Sequence, residues 1–408
     1  MFGDTPLVMI EDDAGLASLC EELSQRDTIA VDTESDSFHH YQEKVCLIQI
    51  SDLDRDYIVD PLQITDMGPL KALFEDGRVR KLLHGADYDI VCLKRDYDIA
   101  LNNIFDTMIA AQFLAFPKIG LADLIDHFFG IRLEKKYQRH DWSQRPLEPE
   151  HLLYARGDTH WLLAVAEVLE YKLARAGWLD AVLEECAVLQ TREWSGRTAH
   201  ASDFLRVKQA STLDDEGKRV LRALWEYRDE QARRMDRPAF KVLPGHTLID
   251  IARARPRDLD ALAGVVRERS SAYRRHGKAL VEAVLAGLAD ERPIPSPPRS
   301  PSRGGRTQAR ADDHLLGLLK AWRNDLVERE GVAPVVVANN QLLKDIATVA
   351  PTDIETLRTV PGIRRWQVDA YGDAIIELVR AANQRASDDK PRRRRRRRRR
   401  RSSGDQGE

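Results

Sequence analysis

Cysteine is scarce in this 408-residue chain: Cys20, Cys46, Cys92 and Cys186 stand far apart, and no two form a Cys-x-x-Cys pair. Cysteine chemistry therefore does not explain the function, and the spacing points to buried, reduced thiols in a cytoplasmic protein. No apolar run approaches the length of a membrane span. The first residues, Met1–Asp13, carry acidic groups and no basic stretch ahead of an apolar core, so a secretory signal is not expected. Positive charge is also short over most of the chain. The net charge is −3, but Arg392–Arg401 is an unbroken run of ten arginines, and without it the chain stands at −13. An acidic body that acts on nucleic acid must bring its own cations, as metal ions or as a basic arm.

What is present reads as a soluble, globular composition, 43% hydrophobic and 32% charged. The length implies two to four domains. Residues 1–195 read as one α/β domain. Its first strand is Thr28–Asp32, followed by the β-rich runs Val45–Ser51 and Tyr57–Asp60, a helix at about Met67–Phe74 and a strand at Val79–Leu83. From Asp106 onward the pattern is helical: Thr107–Phe116, Leu121–Phe129 and one long helix from about Glu150 to Ala174. Three strands in quick succession, then strands alternating with helices, imply a mixed sheet covered by helices.

Three stretches carry candidate chemistry. In Thr28-Ile29-Ala30-Val31-Asp32-Thr33-Glu34 a buried run ends in two carboxylates two residues apart. On a strand, Asp32 and Glu34 project from one face, a costly pairing of like charges unless a cation or a shared proton compensates it. The same Asp-x-Glu spacing at Asp214/Glu216 and Asp353/Glu355 falls in ordinary solvated segments, so position, not spacing, marks Asp32. In His84-Gly85-Ala86-Asp87-Tyr88-Asp89 a glycine turns a strand into a helix with two acids in its first turn. Taken alone these read as Asp87 capping the helix and Asp89 as a charge favoured near its positive end; Asp106 before Thr107 reads as a cap as well. In the long helix, Tyr154, Asp158, Leu162, Val165 and Leu169 form one stripe. A carboxylate at Asp158 then needs either a hydrogen-bonding partner or a metal. The neighbouring His84 and His160 read as structural hydrogen-bonding groups.

Together, Asp32-Thr33-Glu34, His84–Asp89 and Tyr154-Ala155-Arg156-Gly157-Asp158 resemble the three exonuclease motifs of the DEDD superfamily in order and context. The pattern is most similar to the bacterial ribonuclease D family. Val45–Ser51 and Asp141-Trp142-Ser143-Gln144-Arg145-Pro146-Leu147 add to it, and the resemblance covers nearly the whole chain. A tyrosine four residues before the last aspartate resembles the tyrosine subclass. The histidine subclass carries its histidine five before, where Leu153 stands here.

The resemblance implies a ribonuclease H-like mixed sheet with flanking helices, and removal of nucleotides from RNA 3′ ends as 5′-monophosphates. It implies Asp32, Glu34, Asp89 and Asp158 as ligands of two divalent ions, Mg²⁺ or Mn²⁺, and Tyr154 as the group that orients the attacking water. In-line hydrolysis of a phosphodiester needs a hydroxide near neutral pH and neutralisation of the leaving oxygen. Two hard cations about 3.5–4 Å apart supply both. Asp32 is expected to bridge the ions, with Glu34 and Asp158 completing the water-bearing site and Asp89 holding the second ion. Tyr154 and Asp158, one helical turn apart, share a face.

Two helical blocks follow, 215–290 and 312–383, each with a tryptophan in its first helix (Trp225, Trp322). This weak internal repeat resembles tandem HRDC domains, which in the family help engage nucleic acid. The segment Val360-Pro361-Gly362-Ile363-Arg364-Arg365 reads as a turn into the last helix, and the first block offers Leu262-Ala263-Gly264-Val265 at that place. Residues 291–311, rich in Pro, Ser, Arg and Gly, read as a flexible linker, and 384–408 as a disordered basic tail. Arg233-Arg234, Arg274-Arg275, Arg364-Arg365 and the arginine run are candidates for phosphate contact. The expected activity is a 3′→5′ exoribonuclease on RNAs such as tRNA precursors, acting as a cytoplasmic monomer with no membrane partner. A DNA-directed exonuclease and a non-catalytic RNA-binding adaptor are the competing readings.

Overall fold

The computed structural model describes residues 5–194, 201–295 and 312–388. The chain divides into two compact units, 1–305 and 306–408. In the first, six strands form one sheet in the order β1-β4-β3-β2-β5-β6. These are β1 (Leu7–Ile10), β2 (Thr28–Ser35), β3 (Val45–Ser51), β4 (Asp56–Val59), β5 (Arg80–Leu83) and β6 (Ile104–Asp106). The meander β2-β3-β4 is antiparallel, whereas β1, β5 and β6 join it in parallel, so the sheet is mixed as expected. Every residue of β3 is buried, the mark of a strand covered on both faces. β1 and β6 lie outside the strands that the sequence implies. At four and three residues they are too short to show a period, and long-range pairing creates them.

Helices α1 (Asp13–Leu23), α2 (Gly68–Glu75), α3 (Asp87–Tyr97), α4 (Thr107–Phe113) and α5 (Leu121–Phe129) connect and cover the strands. The long helix expected from Glu150 to Ala174 is two, α6 (Pro149–His160) and α7 (Leu162–Ala176), parted at Trp161. Tertiary contacts override the helical period there. The His160 ring is held 2.9 Å from the Asp56 carboxylate, and Trp161 lies against Phe129 with centroids 6.0 Å apart. The expected stripe is divided accordingly. Leu162, Val165 and Leu169 are core residues, whereas Tyr154 and Asp158 are half-buried.

α8 (Leu179–Leu189) closes this part, and α9 (Asp215–Arg234), α10 (Ala239–Val242), α11 (Gly245–Ala254), α12 (Leu259–Ala263) and α13 (Ser271–Leu288) form the first helical block. Leu221, Leu224, Leu248, Ile251, Leu280 and Val284 belong to its core. Asp214 accepts from Gly217 N and caps α9, an ordinary use for that Asp-x-Glu. This block lies in the same compact unit as the sheet, and the loop after β2 docks on it. Tyr41 donates to Asp229 at 2.8 Å, His40 Nδ1 lies 2.7 Å from Asp236, and Phe38 meets Phe240 edge-on at 6.1 Å. Arg233 is engaged there with Asp229 and Tyr41.

The second unit contains α14 (Asp313–Glu330), α15 (Pro334–Val337), α16 (Asn340–Val349), α17 (Ile354–Arg358) and α18 (Arg365–Asp388). Gly362 makes the turn into α18 at φ +81°, a conformation glycine adopts without steric cost. α18 continues to Asp388, so 384–388, expected as tail, are helical. Ala-Ala-Asn-Gln-Arg-Ala-Ser at 381–387 includes good helix formers that extend the last turn. Residues 389–408 and 296–311, which hold the arginine run and most of the expected linker, lie outside the described residues. Among the described residues no helix is long and apolar enough to cross a membrane.

Candidate active site

β2 runs buried through Ile29, Ala30 and Val31, then emerges half-exposed at Asp32 and Glu34. Beside it β5 ends at Leu83, and Gly85 at φ +77° turns the chain into α3; a Cβ there would stand 3.0 Å from Met108 Cε. Asp87, expected as the cap of α3, is instead its first residue, exposed and paired with Arg192 at 2.8 Å. The free N–H groups of this turn are taken by Asp106, whose carboxylate accepts from Gly85 N at 3.1 Å and Ala86 N at 2.8 Å. Asp106 also accepts from Met108 N and Ile109 N, the cap of α4 that the sequence implied. With its end secured from outside, α3 presents Asp89 buried at 6% exposure, and Asp89 accepts a 2.5 Å bond from Thr33 Oγ1.

α6 brings the remaining two residues. It is anchored to the sheet by Arg156, whose guanidinium grips the buried Asp56 through Nε at 2.8 Å and through Nη2. Ser51 Oγ donates to Asp56 at 2.6 Å and lies 2.8 Å from the Thr159 hydroxyl, from which it can accept. Burial alone would raise the Asp56 carboxyl, but its bonds from His160, Ser51 and Arg156 outweigh that and hold it below its ordinary value. The other histidine, His84, lies 2.9 Å from Thr107 Oγ1. The segment Asp141–Leu147 is pinned by Arg145, which bonds Asp60 at 2.5 and 2.7 Å and the Cys46 carbonyl at 2.9 Å. That places Trp142, 1% exposed, in a stack with Tyr154 at 5.9 Å between centroids, and Tyr137 meets Tyr154 edge-on at 5.7 Å.

The four carboxylates feel one another. Burial drives Asp32 well above its ordinary value, and the charges of Asp89, Asp158 and Glu34 add to it. Glu34 is raised well above its own by burial, then by Asp158 and Asp89. Burial and Asp89 push Asp158 up to about 7. Burial pushes Asp89 up to about 6 despite the opposing bond from Thr33. Among the described residues no lysine, arginine or histidine forms an ion pair with any of the four. Burial and the charges of Asp158, Glu34 and Asp32 raise the Tyr154 phenol too, so it stays protonated and can donate a hydrogen bond.

As they stand, no three His, Cys, Asp or Glu side chains among the described residues are set closely enough to hold a metal ion. The donor set nevertheless fits a hard divalent cation: only carboxylate oxygens, Asp89 buried and the other three half-buried, with repulsion that a cation would relieve. A cleft of about 560 Å³ opens beside them, lined by Lys136, Tyr137, Glu150, Tyr154, Gly157 and Asp158. Thr33, between the two acids of β2, supports Asp89. Gln49 belongs to the β-rich run Val45–Ser51. It is fully buried, sits directly across from Asp32, and has no hydrogen-bond partner at either end of its amide among the described residues. The signal for Gln49 was present, as the one amide in the run Val-Cys-Leu-Ile-Gln-Ile.

Comparison with known proteins places this chain in a family. A family model described as 3′-5′ exonuclease matches residues 7–174, and one for the HRDC domain matches 217–284 and 312–379. Ribonuclease D of Acidiphilium cryptum is 30% identical, over 91% of this chain and 92% of its own. The exosome complex component 10 homolog of Caenorhabditis elegans is 35% identical over 64% of this chain but only 30% of its own. The chain thus spans about a third to a half of the length of the first curated relatives it matches. Among solved structures, RNase D of Escherichia coli, described as an exoribonuclease involved in structured RNA processing, superposes with a TM-score of 0.67 at 26% identity. That match covers 91% of this chain and 98% of the other. The chain belongs to the ribonuclease D family, the DEDD-superfamily 3′-5′ exonucleases with HRDC domains.

Proposed function

We propose that this chain is a 3′→5′ exoribonuclease that releases 5′-mononucleotides, with the maturation of tRNA 3′ ends as its task. In this reading Asp32, Glu34, Asp89 and Asp158 hold two divalent ions, Mg²⁺ or Mn²⁺. Bound there, the ions supply a nucleophilic water near neutral pH and offset the charge on the leaving 3′ oxygen. The residues do the rest. Tyr154, kept protonated and wedged between Trp142 and Tyr137, orients the attacking water by hydrogen bonding. Thr33 fixes the Asp89 carboxylate. The cleft beside Tyr154 and Asp158 receives the terminal nucleotide, with Lys136 and the tyrosine rings in its wall.

The observation that carries this reading is the gathering of four carboxylates from three distant segments, all raised by burial and Asp32, Glu34 and Asp158 raised further by the charge of others in the set. Repulsion of that kind is retained where a cation or a proton is to be held. The helical blocks and the arginine run Arg392–Arg401 would engage RNA phosphates, and the chain would act as a cytoplasmic monomer. Each single-strand phosphate neutralised adds roughly 0.7 to the salt slope of binding, so deleting Pro391–Glu408 should weaken RNA binding at low salt and flatten that slope.

The test is a time course on a 3′-extended tRNA with and without chelator, reading product lengths and the released nucleotide. Stepwise shortening with release of 5′-monophosphates, stopped by chelator, supports the reading. Internal cuts, or shortening that persists in chelator, would refute it. A matched DNA oligomer degraded faster than RNA would transfer the activity to DNA.

A further inference from the structure

Gln49 stands in the middle of β3, 0% exposed, and neither its Oε1 nor its Nε2 has a hydrogen-bond partner among the described residues. A side-chain amide buried without partners is a costly thing to keep in a strand whose other residues are Val, Cys, Leu, Ile and a hydrogen-bonded Ser. Its location gives it a use. Asp32 and Gln49 are directly opposed in the antiparallel β2–β3 pair, so their side chains leave the sheet on one face, with Cβ atoms about 5 Å apart. The same face carries Leu47 and Ser51, two residues either side. Leu47 shares a core cluster with Ala155 of α6, and Ser51 bonds Thr159 of α6. Gln49 thus lies between those two contacts of β3 with α6 and across from Asp32.

We propose that Gln49 is a positioning residue of the carboxylate site: when a divalent cation is bound, its unpartnered Nε2–H group donates to the opposed Asp32 carboxylate and fixes its orientation. This inference rests on the reading of Asp32 as a cation ligand. A purely structural glutamine would have its bonds within the protein, and an ordinary core position would be served better by Leu or Met. The role is distinct from that of Thr33, which holds Asp89 from the neighbouring strand.

The test is Gln49→Met, which keeps the volume and removes both polar atoms, with Gln49→Leu as the second chain should the first not fold. Mn²⁺ binding is measured by isothermal titration calorimetry, and the melting temperature of the chelated protein by calorimetry. A positioning role gives a chelated protein that melts no lower than wild type, while its Mn²⁺ dissociation constant rises tenfold or more. Nucleotide release should then need more Mn²⁺ for half-activation, with kcat partly recovered at saturation. Unchanged Mn²⁺ affinity in a folded variant would overturn the inference and leave the exonuclease reading intact. A lower melting temperature with unchanged affinity would assign Gln49 to the fold alone. Absence of Mn²⁺ binding to the wild-type chain would instead overturn the underlying reading, and the inference with it.

Discussion

The Thr33 hydroxyl donates a 2.5 Å hydrogen bond to the Asp89 carboxylate, joining the middle residue of the first motif to the acid of the second across 56 positions of sequence. Bonds to an ionised group are worth about 1.5–3 kcal/mol, and support of this kind for a metal ligand costs roughly 10–100-fold when removed. Thr33→Val keeps the β-branched shape of the strand residue and removes the donor. We expect a folded protein whose rate of nucleotide release at fixed Mg²⁺ falls by roughly 10–100-fold, measured with a 3′-labelled RNA.

The raised carboxylates make a prediction for pH. A carboxyl whose value in the folded protein exceeds its unfolded value near 4 holds its proton more tightly when folded. Its contribution therefore favours the fold at low pH and is lost as pH rises toward the folded value, about 7 for Asp158 and about 6 for Asp89. The chelated protein should lose stability as pH rises from about 4 to about 7, and Asp158→Asn should lose less of it. Saturating Mg²⁺ should flatten or reverse the trend, because the ion binds the deprotonated form. Melting curves of both proteins across this range, with and without Mg²⁺, check the sign.

Arg156 and Asp56 make a prediction for stability alone. Both are buried, at 6% and 1% exposure, and the pair ties α6 to β4. Removing one partner of a buried pair leaves an uncompensated charge and costs about 3–5 kcal/mol. Arg156→Met should lower the free energy of unfolding by that amount in a denaturant titration. Arg156→Lys should recover only part of it, since a point charge cannot reproduce the two-pronged contact.

The sequence made the acids legible because each sits where local rules are strong. Asp32 and Glu34 end a buried β-branched run, Asp89 follows a glycine turn by one helical turn, and Tyr154 and Asp158 are four apart on a helix. What the sequence does not show depends on contacts distant in the chain. α3 needs no capping residue of its own because Asp106, about twenty residues on, supplies the acceptors. The break at Trp161 follows from a histidine held by β4 and an indole packed on α5. β1 exists because four residues near the start of the chain find β4 in parallel register. Gln49 reads as one polar residue in an apolar run until its partner across the sheet is known to be Asp32.

The most direct measurement is nucleotide release from the 3′ end of an RNA by wild type and Asp32→Asn at saturating Mg²⁺. The substitution preserves shape, removes one ligand charge, and relieves the repulsion around it. The account predicts a folded variant, at least as stable as wild type in chelator, whose rate falls roughly a thousandfold, about 4 kcal/mol of barrier. A variant that digests RNA at the wild-type rate would contradict it.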